Sequence, residues 1–159
     1  MEVNDSYFLY PSALFATQKP YYISTILGSC VAVCLWDNKL RYGGMCHYML
    51  PLWNGEGLAS PKYGNIAIEK LIEKLLLFGS KKEYMIAKIF GGGDIFQRRL
   101  NNFNIGEKNI WMARNMLSDQ NISIISSSVG GELGRKIIFN THNGEVKHRF
   151  IKKQLDPLS

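Results

Sequence analysis

The longest uninterrupted apolar stretch runs from Cys30 to Trp36, Cys-Val-Ala-Val-Cys-Leu-Trp. A helix that crosses a bilayer needs about 18 or more apolar residues in a row, so this stretch does not span one. Rich in β-branched and aromatic side chains, it reads as a strand. A similar run, Tyr21 to Leu27, precedes it across a Gly28-Ser29 break. After a polar turn at Asp37-Asn38-Lys39 a further apolar run passes through Met45 to Leu50 and is stopped by Pro51. The runs on either side of that turn predict a β-hairpin. If it closes over Asn38-Lys39, Asp37 opposes Leu40, Trp36 opposes Arg41 and Cys30 opposes His47.

Around this hairpin the periodicity changes. Residues 1–20 carry aromatics but no sustained period and read as an opening strand or lid bounded by two prolines. Three glycines and two prolines between positions 51 and 64 mark a long loop beside the hairpin's end. From Asn65 the spacing is helical, with Ile68, Leu71, Ile72, Leu75 and Leu76 on one face and Gly79 placed as a C-cap. Tyr84 to Phe90 reads as a buried strand running into Gly91-Gly92-Gly93. Ile105 to Asp119 reads as a second helix with Ile110, Ala113 and Leu117 on one face, and Asn121 to Val129 as another strand. Arg135 to Ile151 reads as two strands joined by a type I′ turn at Asn143-Gly144. The pattern predicts one α/β domain over residues 1–159, an α+β layered sandwich with a mixed, mostly antiparallel sheet and two main helices packed on it.

Composition narrows the class. The chain is 46% hydrophobic and 20% charged, as in ordinary globular proteins. Its N-terminus is acidic and lacks the apolar segment of a secretory signal, which predicts a cytoplasmic protein with no membrane insertion. Three cysteines, Cys30, Cys34 and Cys46, are an odd number and argue for catalytic or buried thiols over a disulfide framework. The net charge is +6, and the whole excess of bases lies after Gly79. No aromatic-basic motif accompanies it, so nucleic-acid binding is not expected.

Cys30 follows a glycine and a serine at a strand junction, where a nucleophile sits on a sharp turn with backbone N–H groups around Gly28, Ser29 and Cys30 free to bind an oxyanion. His47, facing it across the hairpin, is the candidate base. A core cysteine and a core histidine are the bland alternative. The two other cysteines and His47 number enough for zinc with Cys30, but positions 30 and 34 are about 13 Å apart on a strand and neighbours 46 and 47 point to opposite faces. No metal or organic cofactor is therefore expected. Cys34 reads as a core thiol. Gly91 to Phe96 lacks the last glycine of a dinucleotide fingerprint, Gly130 to Gly134 reads as a tight turn, and His142 and His148 read as surface residues.

Several segments together resemble one family: Leu-Gly-Ser-Cys-Val-Ala-Val (27–33), Gly-Gly-Met-Cys-His-Tyr-Met-Leu-Pro (43–51), Lys-Ile-Phe-Gly-Gly-Gly (88–93), Ile-Gly-Glu-Lys-Asn (105–109) and Val-Gly-Gly-Glu-Leu-Gly-Arg (129–135). They resemble the CheD-type chemoreceptor glutamine deamidases, whose layered fold is related to bacterial toxin deamidases. The resemblance implies a cysteine hydrolase that converts glutamine side chains of methyl-accepting chemotaxis receptors to glutamate and also processes glutamyl methyl esters. It places the nucleophile at Cys30, the base at His47 and a catalytic hydroxyl at Ser24 or Thr25. Cys46, where the family often has Asn or Ala, and Lys108, where Arg is usual, are departures. A basic face of Arg135, Lys136, Lys147, Arg149, Lys152 and Lys153 is expected to steer acidic receptor helices. The alternative is a non-catalytic adaptor that binds receptors or a CheC-type phosphatase.

Overall fold

A computed structural model of the protein describes residues 2–95 and 104–152. Among the described residues nine strands form two sheets, and two α-helices cover one of them. The first, β1 (Asp5–Phe8), lies parallel to β3 (Tyr21–Leu27), while β2 (Ala13–Thr17) joins the other sheet beside β5 (Gly43–Tyr48). The expected opening strand is thus two strands serving two sheets. With β4 (Val31–Asp37), β6 (Met85–Gly91), β7 (Ser123–Val129), β8 (Gly134–Asn140) and β9 (Val146–Ile151), the orders are β1-β3-β8-β9 and β2-β5-β4-β6-β7. The fold is the expected α+β layering, with the strands divided between two stacked sheets. No described helix is long and apolar enough to cross a membrane.

The helices occur where the periodicity puts them. In α1 (Gly64–Leu77) Ile68, Leu71, Ile72 and Leu75 are buried. Gly79, at φ +102°, ends it: the Gly79 N–H donates to Leu76 and the Ser80 N–H to Leu75, the crossed pair that closes a helix through a left-handed residue. The second, α2 (Ile105–Asp119), begins at Asn104, whose side chain accepts from the Glu107 N–H at 3.1 Å. Both helices pack on the five-stranded sheet over a core containing Val31, Val33, Leu35, Cys46 and Tyr48. Between the sheets lies a second core with Ile23, Leu27, Ala32, Cys34, Met45, Phe90, Ile137 and Phe139. Alternation along β4 and β5 therefore sends successive side chains to different cores.

Two turns differ from their expected form. The Asp37 carboxylate accepts from the Lys39 and Leu40 N–H groups at 2.8 and 2.9 Å, and Arg41 takes a positive φ of 59°. The hairpin thus closes as a four-residue loop between Asp37 and Tyr42, and Ala32, not Cys30, opposes His47. A two-residue shift keeps every side chain on its face, so Cys30 and His47 still share one. At the other hairpin the Asn140 side chain accepts from the His142 and Asn143 N–H groups, and only Gly144 of the Asn-Gly pair has a positive φ, +80°. The loop is Thr141 to Gly144, closed by the Asn140 N–H donating to Glu145. A type I′ turn needs positive φ at both central residues, which the Asn140 cap precludes. A Cβ at Gly144 would also lie 2.5 Å from the Trp36 ring.

Candidate active site

Gly28-Ser29 is where the chain leaves one sheet for the other: β3 ends at Leu27 and β4 starts at Val31. Cys30 sits on this crossover, half-buried, its side chain against the core between the sheets. The triple glycine holds the crossover in place. The Gly92 N–H donates to the Cys30 carbonyl at 2.9 Å and the Gly93 N–H to the Gly28 carbonyl at 3.0 Å. Gly91 has φ +104°, and a Cβ there would lie 2.2 Å from the Cys30 oxygen. Only glycine fits, so the cluster is a cradle for the cysteine turn.

His47, on β5, meets Thr25, on β3 of the opposite sheet. The Thr25 Oγ1 and His47 Nδ1 atoms are 2.7 Å apart, and the Thr25 hydroxyl donates to the Leu9 carbonyl at 2.6 Å. A carbonyl only accepts, so the single hydroxyl proton goes to Leu9 and the oxygen must accept from His47. This accounting assigns the proton to Nδ1 and leaves Nε2 as a bare lone pair. Nε2 is buried and has no hydrogen-bond partner. Burial lowers the imidazole from 6.5 to about 4, so it is a neutral base at pH 7. The Cys30 thiol is raised by burial and drawn partly back by its own backbone N–H. Both shifts favour the neutral forms, the Cys30 thiol and the His47 imidazole.

The remaining candidates divide sharply. Ser24 alternates to the outer face of its sheet, away from His47, whereas Thr25 is fully buried. Cys34 is buried between the sheets and Cys46 under the helices, where burial pushes the Cys46 thiol up to about 12. Among the described residues no three His, Cys, Asp or Glu side chains converge as metal ligands. Arg135 does not join a basic surface. It is 3% exposed, donates to Ser128 Oγ at 3.0 Å and the Gly130 carbonyl at 2.8 Å, and lies 5.0 Å from the Phe150 ring centre. Paired with Phe150 on the inner side, it ties down the 130–134 turn. Lys136, Lys147 and Arg149 line a shallow outer depression with Ile138 and His148. Lys152 flanks a different hollow, beside Gly28 and Ile95, and Lys153 lies outside the described residues.

Sequence reasoning did not find Leu9 or Asn109. Leu9 contributes only a backbone oxygen, for which no side-chain signal exists. Asn109 left one: a polar residue on the helical face that carries Ile110 and Ala113. It is fully buried, donates through Nδ2 to the Ser29 and Met49 carbonyls at 3.0 Å each, and accepts through its backbone oxygen from the Tyr48 hydroxyl.

A half-buried thiol at the sheet crossover and a buried imidazole oriented by a threonine hydroxyl are the kinds of group that cysteine hydrolases use for acyl transfer through a thioester. The family follows from comparison: a model described as CheD chemotactic sensory transduction matches residues 49–150, and the chain belongs to the CheD family. A probable chemoreceptor glutamine deamidase CheD of Trichlorobacter lovleyi is 50% identical over 140 residues, 88% of this chain and 87% of that protein. Proteins of the same name from Sulfurimonas denitrificans and Methanococcus vannielii are 48% and 35% identical, over 96% and 83% of this chain and 98% and 86% of their own lengths.

Proposed function

We propose that the protein is a protein-glutamine deamidase of chemotaxis receptors, acting in the cytoplasm through Cys30, His47 and Thr25. The observation that carries the catalytic assignment is the Thr25–His47 hydrogen bond, which leaves Nε2 unprotonated on the face that also bears Cys30. The names of relatives nearly half identical over almost the whole chain support the reaction and the substrate.

Cys30 Sγ attacks the carboxamide carbon of a receptor glutamine as His47 Nε2 takes the thiol proton. Because both groups favour their neutral forms, proton transfer accompanies attack. Backbone N–H groups of the crossover stabilise the tetrahedral oxyanion. The imidazolium then protonates the departing nitrogen, ammonia leaves and a thioester remains. Water, deprotonated by Nε2, attacks that thioester; the carboxylate departs and the sulfur regains its proton. A glutamyl methyl ester follows the same path with methanol as the leaving group. Thr25 holds the imidazole in the required tautomer throughout.

The outer face of the four-stranded sheet supports a docking role beside the chemistry. Phe8, Tyr22, Ile26 and Ile138 are exposed there, flanked by Lys136, Lys147 and Arg149. An acidic receptor helix, or a CheC-type phosphatase, is the partner this reading assigns to it.

The test incubates the protein with a purified receptor cytoplasmic fragment and follows the one-dalton gain per converted glutamine by mass spectrometry. Wild type converts glutamine and Cys30→Ala does not. Conversion that survives Cys30→Ala overturns the reading. Cys30→Ala cells with normal chemotaxis, and a variant protein that still binds receptor, would favour the adaptor.

A further inference from the structure

We infer that Asn109 is a positioning residue: its side-chain amide fixes the peptide between Ser29 and Cys30 and so aims the Cys30 N–H at the point where the oxyanion forms. The inference rests on the deamidase reading and deepens it. Two carbonyls receive the Asn109 Nδ2 protons, that of Ser29, immediately before the nucleophile, and that of Met49, two residues after the base. Both partners only accept, so the amide has a single possible orientation. Its Oδ1 is buried without a partner, so the orientation is set by the two donated bonds alone.

The geometric consequence follows from peptide planarity. The described peptide bonds are all trans, and in a planar trans unit the C=O and N–H point in opposite directions. Turning the Ser29 carbonyl toward α2 therefore turns the Cys30 N–H away from it. That N–H lies close enough to the Cys30 sulfur to favour its ionisation. An oxygen on a carbon bonded to that sulfur forms beside the same donor. From the other side, the Gly92 N–H grips the Cys30 carbonyl, so both peptides flanking the nucleophile's Cα are held.

Gly106 makes the reach possible. One turn before Asn109, it lets α2 lie directly on the glycine cradle: a Cβ there would meet the Gly92 oxygen at 2.3 Å. The Gly106 and Asn109 pair thus acts as a unit, the first permitting contact and the second using it. Because the other bond of the amide goes to Met49, the same side chain also ties the end of β5, and with it His47, to the nucleophile's turn.

The test measures deamidation of the receptor fragment and alkylation of Cys30 by iodoacetamide in Asn109→Ala, with Asn109→Ser as a second variant. Alkylation attacks a saturated carbon and creates no oxyanion, so it reports the thiol without the donor. Loss of one aimed donor predicts a kcat lower by about 10²–10³-fold, with KM and the alkylation rate each within about threefold of wild type. A kcat within that same range of wild type overturns the inference, as does a kcat that falls in step with alkylation. If neither variant folds, Asn109 serves the scaffold and the inference is overturned. A wild type without activity, or activity that survives Cys30→Ala, removes the deamidase reading instead.

Discussion

Thr25→Val keeps the shape of the side chain and deletes its oxygen, so it isolates the bond that sets the His47 tautomer. Thr25 is fully buried and His47 is 1% exposed, so no bulk solvent replaces what is lost. Two groups are orphaned, the Nδ1–H of His47 and the carbonyl of Leu9. At about 1–3 kcal/mol for each buried unpaired group, the variant should lose about 2–4 kcal/mol of stability after partial relaxation. For a chain of this length that lowers Tm by about 5–15 °C. The catalytic loss is separate: without Thr25 the ring proton is free to occupy Nε2, the lone pair that accepts the thiol proton disappears, and kcat should fall by about 10²–10⁴-fold. The assays are thermal unfolding, ammonia release from the receptor fragment, and imidazole nitrogen chemical shifts that read the tautomer directly. Thr25→Ser restores the oxygen and should recover most of the rate, while Ser24→Ala, altered on the outer face, should leave it unchanged. Thr25→Val with wild-type kcat below its Tm, or a wild-type His47 protonated at Nε2, would refute the tautomer argument.

Two further expectations follow from the same buried region. His47 titrates at about 4 when folded and 6.5 when unfolded. Between those values the unfolded chain binds more protons, so stability falls as pH drops from 6.5 toward 4, by up to about 3 kcal/mol. Urea midpoints measured across that window should slope less steeply in His47→Gln, and equal slopes would count against a buried neutral imidazole. Gly91→Ala must accommodate both a positive φ and a Cβ 2.2 Å from the Cys30 oxygen, whereas Gly131, at φ +74°, has open space around it. Gly91→Ala should therefore cost about 3 kcal/mol or more and displace Cys30, against about 1–2 kcal/mol for Gly131→Ala, and equal Tm values in the two variants would contradict the cradle.

How much of this was legible beforehand depended on the range of the interaction. Both helices, the Gly79 cap and the strands flanking Asp37 were readable because the periodicity and turn residues that specify them lie within a few positions. The hairpin's register was not, because the Asp37 carboxylate widens the loop by hydrogen bonds that residue identity alone leaves open. Resemblance to a family indicated Cys30 and His47 but left Ser24 and Thr25 both standing.

By itself, then, the sequence determined the layered α+β class, the positions of the two helices, and a cysteine and a histidine on one face of a hairpin. Tertiary structure decided what those residues can do. The step at Gly28-Ser29 puts β3 and β4 in different sheets, and stacking those sheets brings the Thr25 hydroxyl onto His47. The same stacking buries Arg135 and removes it from the basic face, while the packing of α2 on the glycine cradle carries Asn109 to the Ser29 carbonyl. The Thr25–His47 and Asn109–Ser29 contacts join segments far apart in the chain, and the burial of Arg135 follows from the alternation of faces. The physical reason is that periodicity reports which side of an element is buried, but which group waits on the other side is set only when the elements pack.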